Sequence, residues 1–133
     1  MATYTSKINI KRSLTDVYQF LADFNNHQQL MPDNVQNWTS TFNEASFGIQ
    51  NMVQLSLNIS ERVENKSVKI AAVNGPPFPV QLSWDLTGDA NNTLATFTIN
   101  AELNMMMKMM ASGPLQKLAD HETKTLAALI SKD

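Results

Sequence analysis

The chain has 133 residues, 43% apolar and 17% charged, enough to bury one core over residues 1–133 and too short for two domains. A formal charge of −2, with Lys and Arg scattered along the chain, offers no footprint for nucleic acid or an anionic membrane. No cysteine means no disulfide or thiolate chemistry, and no basic leader or apolar run near ~20 residues occurs, so the expectation is a cytoplasmic chain without membrane insertion.

Residues 3–11 alternate, with Ile8 and Ile10 on one parity and Lys7, Asn9 and Lys11 on the other, which predicts a half-buried strand. Ser13-Leu14-Thr15-Asp16 then supplies a capping side chain with an acidic residue three positions on. Leu14, Val17, Leu21 and Phe24 recur at helical spacing, so a first helix is expected over 14–22. Between Asp23 and Pro32 the polar start and the terminal proline frame a second short helical turn, the two helices forming a V.

From residue 35 the period changes from 3.6 to 2. Val53, Leu55, Leu57, Ile59 and Val63 alternate with Gln54, Ser56, Asn58, Ser60 and Arg62. The same rhythm runs through Trp38 and Phe42, through Val68, Ile70 and Ala72, through Val80, Leu82, Trp84 and Leu86, and through Phe97, Ile99, Ala101 and Leu103. Turn residues at 64–66, at Asn74-Gly75-Pro76-Pro77 and at 88–92 make the connections short, so an antiparallel meander of about 6–7 strands is expected.

After Asn104 the helical period returns, with Leu115, Leu118, Ala119, Leu126, Leu129 and Ile130 on one stripe. From Pro114 to Ile130 such a helix is ~25 Å long, matching the ~27 Å of an eight-residue strand. Gly113-Pro114 predicts a break or kink. The stripe needs an apolar partner, and one face of the sheet, curled around the helix, is the surface that matches it. The fold class expected is α+β.

This order of strand, helix pair, long antiparallel sheet and final helix is found in the helix-grip superfamily of START domains, Bet v 1-like proteins and polyketide cyclases, also called SRPBCC. The segment Ser13-Leu14-Thr15-Asp16-Val17-Tyr18-Gln19-Phe20-Leu21-Ala22-Asp23-Phe24-Asn25-Asn26 resembles its opening helix, and Leu30-Met31-Pro32-Asp33 followed by Trp38 resembles the approach to its second strand. The resemblance implies a cavity between the sheet and the last helix. Family members include lipid and hormone carriers, cyclases and dehydratases, and co-chaperone modules, so fold does not choose a function.

Parity places Trp38, Phe42, Leu55, Leu57 and Ile59 on the interior face, with Ile70, Leu82, Trp84, Phe97 and Ile99. Met106, Met109 and Met110 from the Met105–Met110 cluster, with Leu118, would complete a ligand-binding wall or else fill the core. Glu61 shares the interior parity and is a weak candidate acid or base. His27 and His121 have no partner at metal-ligand or nucleophile spacing and read as surface histidines, and Asp85 and Glu102 fall on the wet parity. Phe78, in the loop after Asn74-Gly75-Pro76-Pro77, could rim a pocket mouth or merely join two strands.

No nucleotide-binding loop, serine-hydrolase elbow or calcium loop is written in the sequence, and no cofactor or metal is implied. The leading expectation is binding of a small hydrophobic or amphipathic molecule, without catalysis. The alternatives are an enzyme resembling the polyketide cyclases and dehydratases, which would need two convergent polar groups in the pocket, and an interaction module with a filled core, for instance a homodimer.

Overall fold

In a computed structural model, residues 2–49, 53–73 and 78–131 are described. Seven strands form one antiparallel sheet: β1 (Ala2–Ile10), β2 (Val35–Ser40), β3 (Glu44–Ile49), β4 (Val53–Val63), β5 (Ser67–Val73), β6 (Val80–Gly88) and β7 (Thr93–Ala101). Their spatial order is β1-β7-β6-β5-β4-β3-β2, so six strands run as a meander and the first returns to pair with the last, Ala2 opposite Ala101. Between β1 and β2 lie helix α1 (Leu14–Leu21) and a 3₁₀ segment, Phe24–Leu30, and the chain closes with helix α2 (Met105–Ile130). The curved sheet around a long C-terminal helix is the expected grip.

Local chemistry sets the boundaries. Ser13 Oγ accepts the Asp16 N–H at 3.1 Å and starts α1. Asp89 closes the turn before β7: its Oδ1 accepts the N–H groups of Asn91 and Asn92, which hold its carboxyl below the usual range. Its carbonyl accepts the Leu14 N–H at 2.9 Å, tying the turn to the start of α1. A side chain at Gly88 would meet the Asn92 carbonyl oxygen at 2.3 Å, so this turn requires glycine.

Three differences from the expected elements matter. First, α2 begins at Met105, well before Pro114, because Asn104 Oδ1 accepts the Met107 N–H at 2.8 Å and caps it. Pro114 sits inside an unbroken helix. Side chains strap that helix to β1: Tyr4 Oη to Ser112 Oγ at 2.8 Å, Gln116 Nε2 to the Thr5 carbonyl at 3.0 Å, and Ser6 Oγ to Thr123 Oγ1 at 2.8 Å. Tertiary contacts on both sides of the proline offset the one hydrogen bond it removes.

Second, Phe42 lies in the turn between β2 and β3, not in a strand. Thr41 Oγ1 accepts the N–H groups of Asn43 and Glu44 and turns the chain there. Third, β4 carries a bulge: Ile59 faces Ile70, but Glu61 faces Lys69, leaving Ser60 as the extra residue. Parity flips at that point, so Glu61 and Val63 turn outward and Arg62 inward.

The two ends of the grip differ. At one end α1 packs over β5 and β6, and Val17, Leu21, Val68, Trp84, Leu86, Ala95 and Leu126 fill the space solidly. At the other end the 3₁₀ segment packs over β2 and β3 and contacts α2. Among the described residues no helix is long and apolar enough to cross a membrane.

Candidate functional site

At that second end the structure leaves a partly open cavity of about 770 Å³, within the usual size range for small-molecule sites. Leu55 and Leu57 of β4, Ile70 of β5, Leu82 and Val80 of β6, and Phe97 and Ile99 of β7 form its floor. Met107, Leu115, Leu118 and Glu122 of α2 form its roof, while Phe24, His27 and the segment from Met31 to Val35 close one side. Exposed Asp33, Lys117 and His121 stand at its border.

A bulge shapes the remaining wall. Gln36 pairs with Gly48 and Thr39 with Ser46, so Asn37 and Trp38 together oppose Phe47. Asn37 takes the left-handed conformation at φ 57°, which asparagine tolerates. The extra residue puts Val35 and Trp38, three apart, on the same cavity wall. Trp38 stacks on Phe47 with ring centroids 5.2 Å apart and meets the edge of Phe24 at 6.4 Å. Its indole Nε1 and the Oδ1 of Asn34 are buried without a hydrogen-bond partner.

Two titratable groups are buried in this apolar lining. Glu122 is 4% exposed, and among the described residues no hydrogen bond or ion pair reaches its carboxyl. Burial pushes it from 4.5 up to about 8, so it carries a proton at neutral pH. His27 Nε2 donates to the Leu21 carbonyl oxygen at 2.8 Å, so in the neutral ring Nε2 holds the proton and Nδ1 a lone pair. Burial lowers its pKa from 6.5 to about 4 against the raising effects of that bond and of Asp23, so the ring is neutral. The 3₁₀ period of three turns Phe24, His27 and Leu30 to one buried face, which corrects the expectation of a surface histidine.

Of the residues expected to line a pocket, Trp38, Leu55, Leu57, Ile70, Leu82, Phe97, Ile99 and Leu118 border the cavity together. Ile59 packs against the core away from it. Trp84 faces the interior as parity requires, but it is fully buried at the solid end, stacked on Phe97 at 4.5 Å. Phe42 is 51% exposed beneath the Arg62 guanidinium.

Met106, Met109 and Met110 are 72–82% exposed and form neither wall nor core, because capping at Asn104 turns Met107 inward instead. Glu61 is exposed and lies 3.7 Å from Lys69 Nζ, a consequence of the Ser60 bulge. Half-buried Phe78 borders the cavity, while Asn74, Gly75, Pro76 and Pro77 lie outside the described residues. Glu122 had a legible signal: it falls three residues before Thr125 and four before Leu126, on the stripe of Leu115, Leu118 and Ala119, where an apolar residue belongs. Among the described residues, no group of three His, Asp or Glu side chains comes together as a metal site would require.

No protein-family profile matches the chain, and no curated protein matches it in sequence. Solved structures do match in shape. A START superfamily protein from Mycobacterium smegmatis superposes with a TM-score of 0.70 at 13% identity, covering 95% of this chain and 94% of that one. The Aha1 dimer from Colwellia psychrerythraea gives 0.61 at 17% identity, with 96% and 97% covered. The di-domain ARO/CYC protein BexL of the BE-7585A biosynthetic pathway gives 0.67 at 8% identity, with 95% of this chain covered and 46% of that one. The chain therefore has the START/Bet v 1-like helix-grip fold.

Proposed function

We propose that the protein binds a small hydrophobic or amphipathic molecule in the cavity between sheet and α2. The observation that carries this reading is an apolar cavity of about 770 Å³ with a pre-formed aromatic wall of Trp38 and Phe47. Burying a ligand's apolar surface there yields roughly 25 cal/mol per Å². The START-like fold supports the same reading, and an interior this open weighs against a filled-core interaction module. Native mass spectrometry of the chain purified from its own cells tests it: a retained small-molecule adduct, absent after organic extraction, is the expected result. Adduct-free protein that also fails to take up any member of an apolar ligand library rejects it.

A second reading, an enzyme resembling the aromatase/cyclase shape-relatives, draws on one observation: Glu122 and His27, a proton donor and a lone-pair acceptor, line the same cavity. Turnover of a bound ketone, read as deuterium uptake from solvent at the carbon beside its carbonyl and lost in both Glu122→Gln and His27→Leu, would favour catalysis over binding alone.

A further inference from the structure

We propose that Glu122 is the polar anchor of the cavity and that its carboxylic acid donates a hydrogen bond to the carbonyl oxygen of a neutral, otherwise apolar ligand. This rests on the binding function proposed above and adds the ligand's chemical class. A cavity serving hydrocarbon alone would gain by a leucine at this position, since an unpartnered buried polar group is costly. Yet Glu122 lines the cavity roof, 4% exposed, with Leu118 and Leu115, and its carboxyl takes no hydrogen bond from the described residues. Its missing partner has to come from within the cavity.

The surroundings select a neutral oxygen over a cation. Around α2, β1 contributes Tyr4, whose hydroxyl is bonded to Ser112, and exposed Lys7; β7 contributes no titratable group; the 3₁₀ segment contributes His27. On α2 itself Lys117 and His121 are exposed, and Asp120 is bonded to Gln116. The charged groups stay at the border, and burial holds both deep groups in their neutral forms at neutral pH. A protonated carboxyl has one O–H to give, and a carbonyl oxygen accepts it without bringing charge into an apolar space.

The test uses two probes of nearly equal shape, 2-acetylnaphthalene and 2-isopropenylnaphthalene, titrated calorimetrically into the full chain at pH 6. The readout is the preference for ketone over hydrocarbon. It is expected to fall about tenfold from wild type to Glu122→Leu, the loss of one buried hydrogen bond, and to survive in Glu122→Gln, whose amide still donates. In wild type it should also fall between pH 6 and 9.5, and in Glu122→Gln it should not. If both probes bind but the preference is the same in wild type and Glu122→Leu, the anchor is wrong while the apolar cavity stands. Tighter binding of 2-(2-aminoethyl)naphthalene than of the ketone would replace the carbonyl by an amine and overturn the proposal. If neither naphthalene binds, the proposal and the binding function fall together.

Discussion

The guanidinium carbon of Arg62 lies 4.1 Å from the centroid of the Phe42 ring, and Arg62 Nη2 donates to the Phe42 carbonyl oxygen at 2.8 Å. The same side chain donates Nε to the Ala22 carbonyl and Nη1 to Asn43 Oδ1, both at 2.8 Å. One residue of β4 thereby ties the C-terminal end of α1 to the turn between β2 and β3. The position also places a positive charge where a helix's carbonyls converge.

Arg62→Ala is expected to lower unfolding free energy by about 2–3 kcal/mol, because three charge-assisted hydrogen bonds and a cation–π contact disappear together. Arg62→Lys should recover little of this, since an ammonium cannot span three acceptors in a fork. Urea denaturation followed by circular dichroism measures both. A loss below half a kcal/mol would show that the clamp is ornamental.

Glu122 and His27 make opposite contributions to the pH dependence of stability. Glu122 keeps its proton to about 8 in the folded chain but loses it near 4.5 when unfolded, so folding becomes less favourable as pH rises between those values. His27 is protonated near 6.5 when unfolded and only near 4 when folded, so folding becomes less favourable as pH falls between those values. From 4.5 to 6.5 the two slopes cancel; from 6.5 to about 8 only Glu122 acts. At about 1.4 kcal/mol per pH unit that upper window removes on the order of 2 kcal/mol at most. In melting curves, wild type alone should therefore lose stability only above pH 6.5, whereas the difference between wild type and Glu122→Gln, from which the shared His27 contribution drops out, should change across the whole range from 4.5 to about 8; a difference independent of pH would contradict the buried carboxyl.

Leu118→Trp puts a larger apolar side chain on the roof of a cavity with room for it. Overpacking is avoided because the space is open, so stability should change by no more than about 1 kcal/mol. Probe affinity should drop at least tenfold. Isothermal calorimetry with 2-acetylnaphthalene decides this, and undiminished affinity would move the binding site elsewhere.

Gly113→Ala concerns α2 alone. A side chain at Gly113 meets nothing within 4 Å, and the residue is exposed inside a helix. Better helix propensity should raise stability by about 0.5–1 kcal/mol. Thermal unfolding by calorimetry would show the gain, and a lowered midpoint would mean that the Gly-Pro step needs its glycine.

Periodicity carries most of the fold because apolar residues repeat every second position in Leu55–Ile59 and Val80–Leu86 and every third or fourth in Leu115–Leu126. It fails wherever the period is interrupted by one residue. The bulge at Ser60 reverses Glu61, and the bulge at Asn37 sets Val35 and Trp38 on one wall, neither of which alternation can express. The Met105–Met110 run misleads for a different reason: five of its six residues are methionine, so composition gives little direction, and the helix that starts at the Asn104 cap turns Met107 inward. Glu122 was readable as a polar residue on an apolar stripe. Its lack of a partner was not, because a partner is a matter of three-dimensional neighbours.

The return of β1 to pair with β7 has a consequence for biogenesis. Ile10 finds its neighbour at Thr93 and Ala2 at Ala101, so at synthesis rates of about 5–20 residues per second the first strand spends several seconds without its hydrogen-bonding edge filled. Nearly the whole chain must emerge before the sheet can be completed, and α2, which is strapped to that first strand, emerges later still. Newly made chains thus pass through a state with the cavity unroofed and β1 loose, the interval in which its apolar interior and unpaired strand edge are most exposed to aggregation.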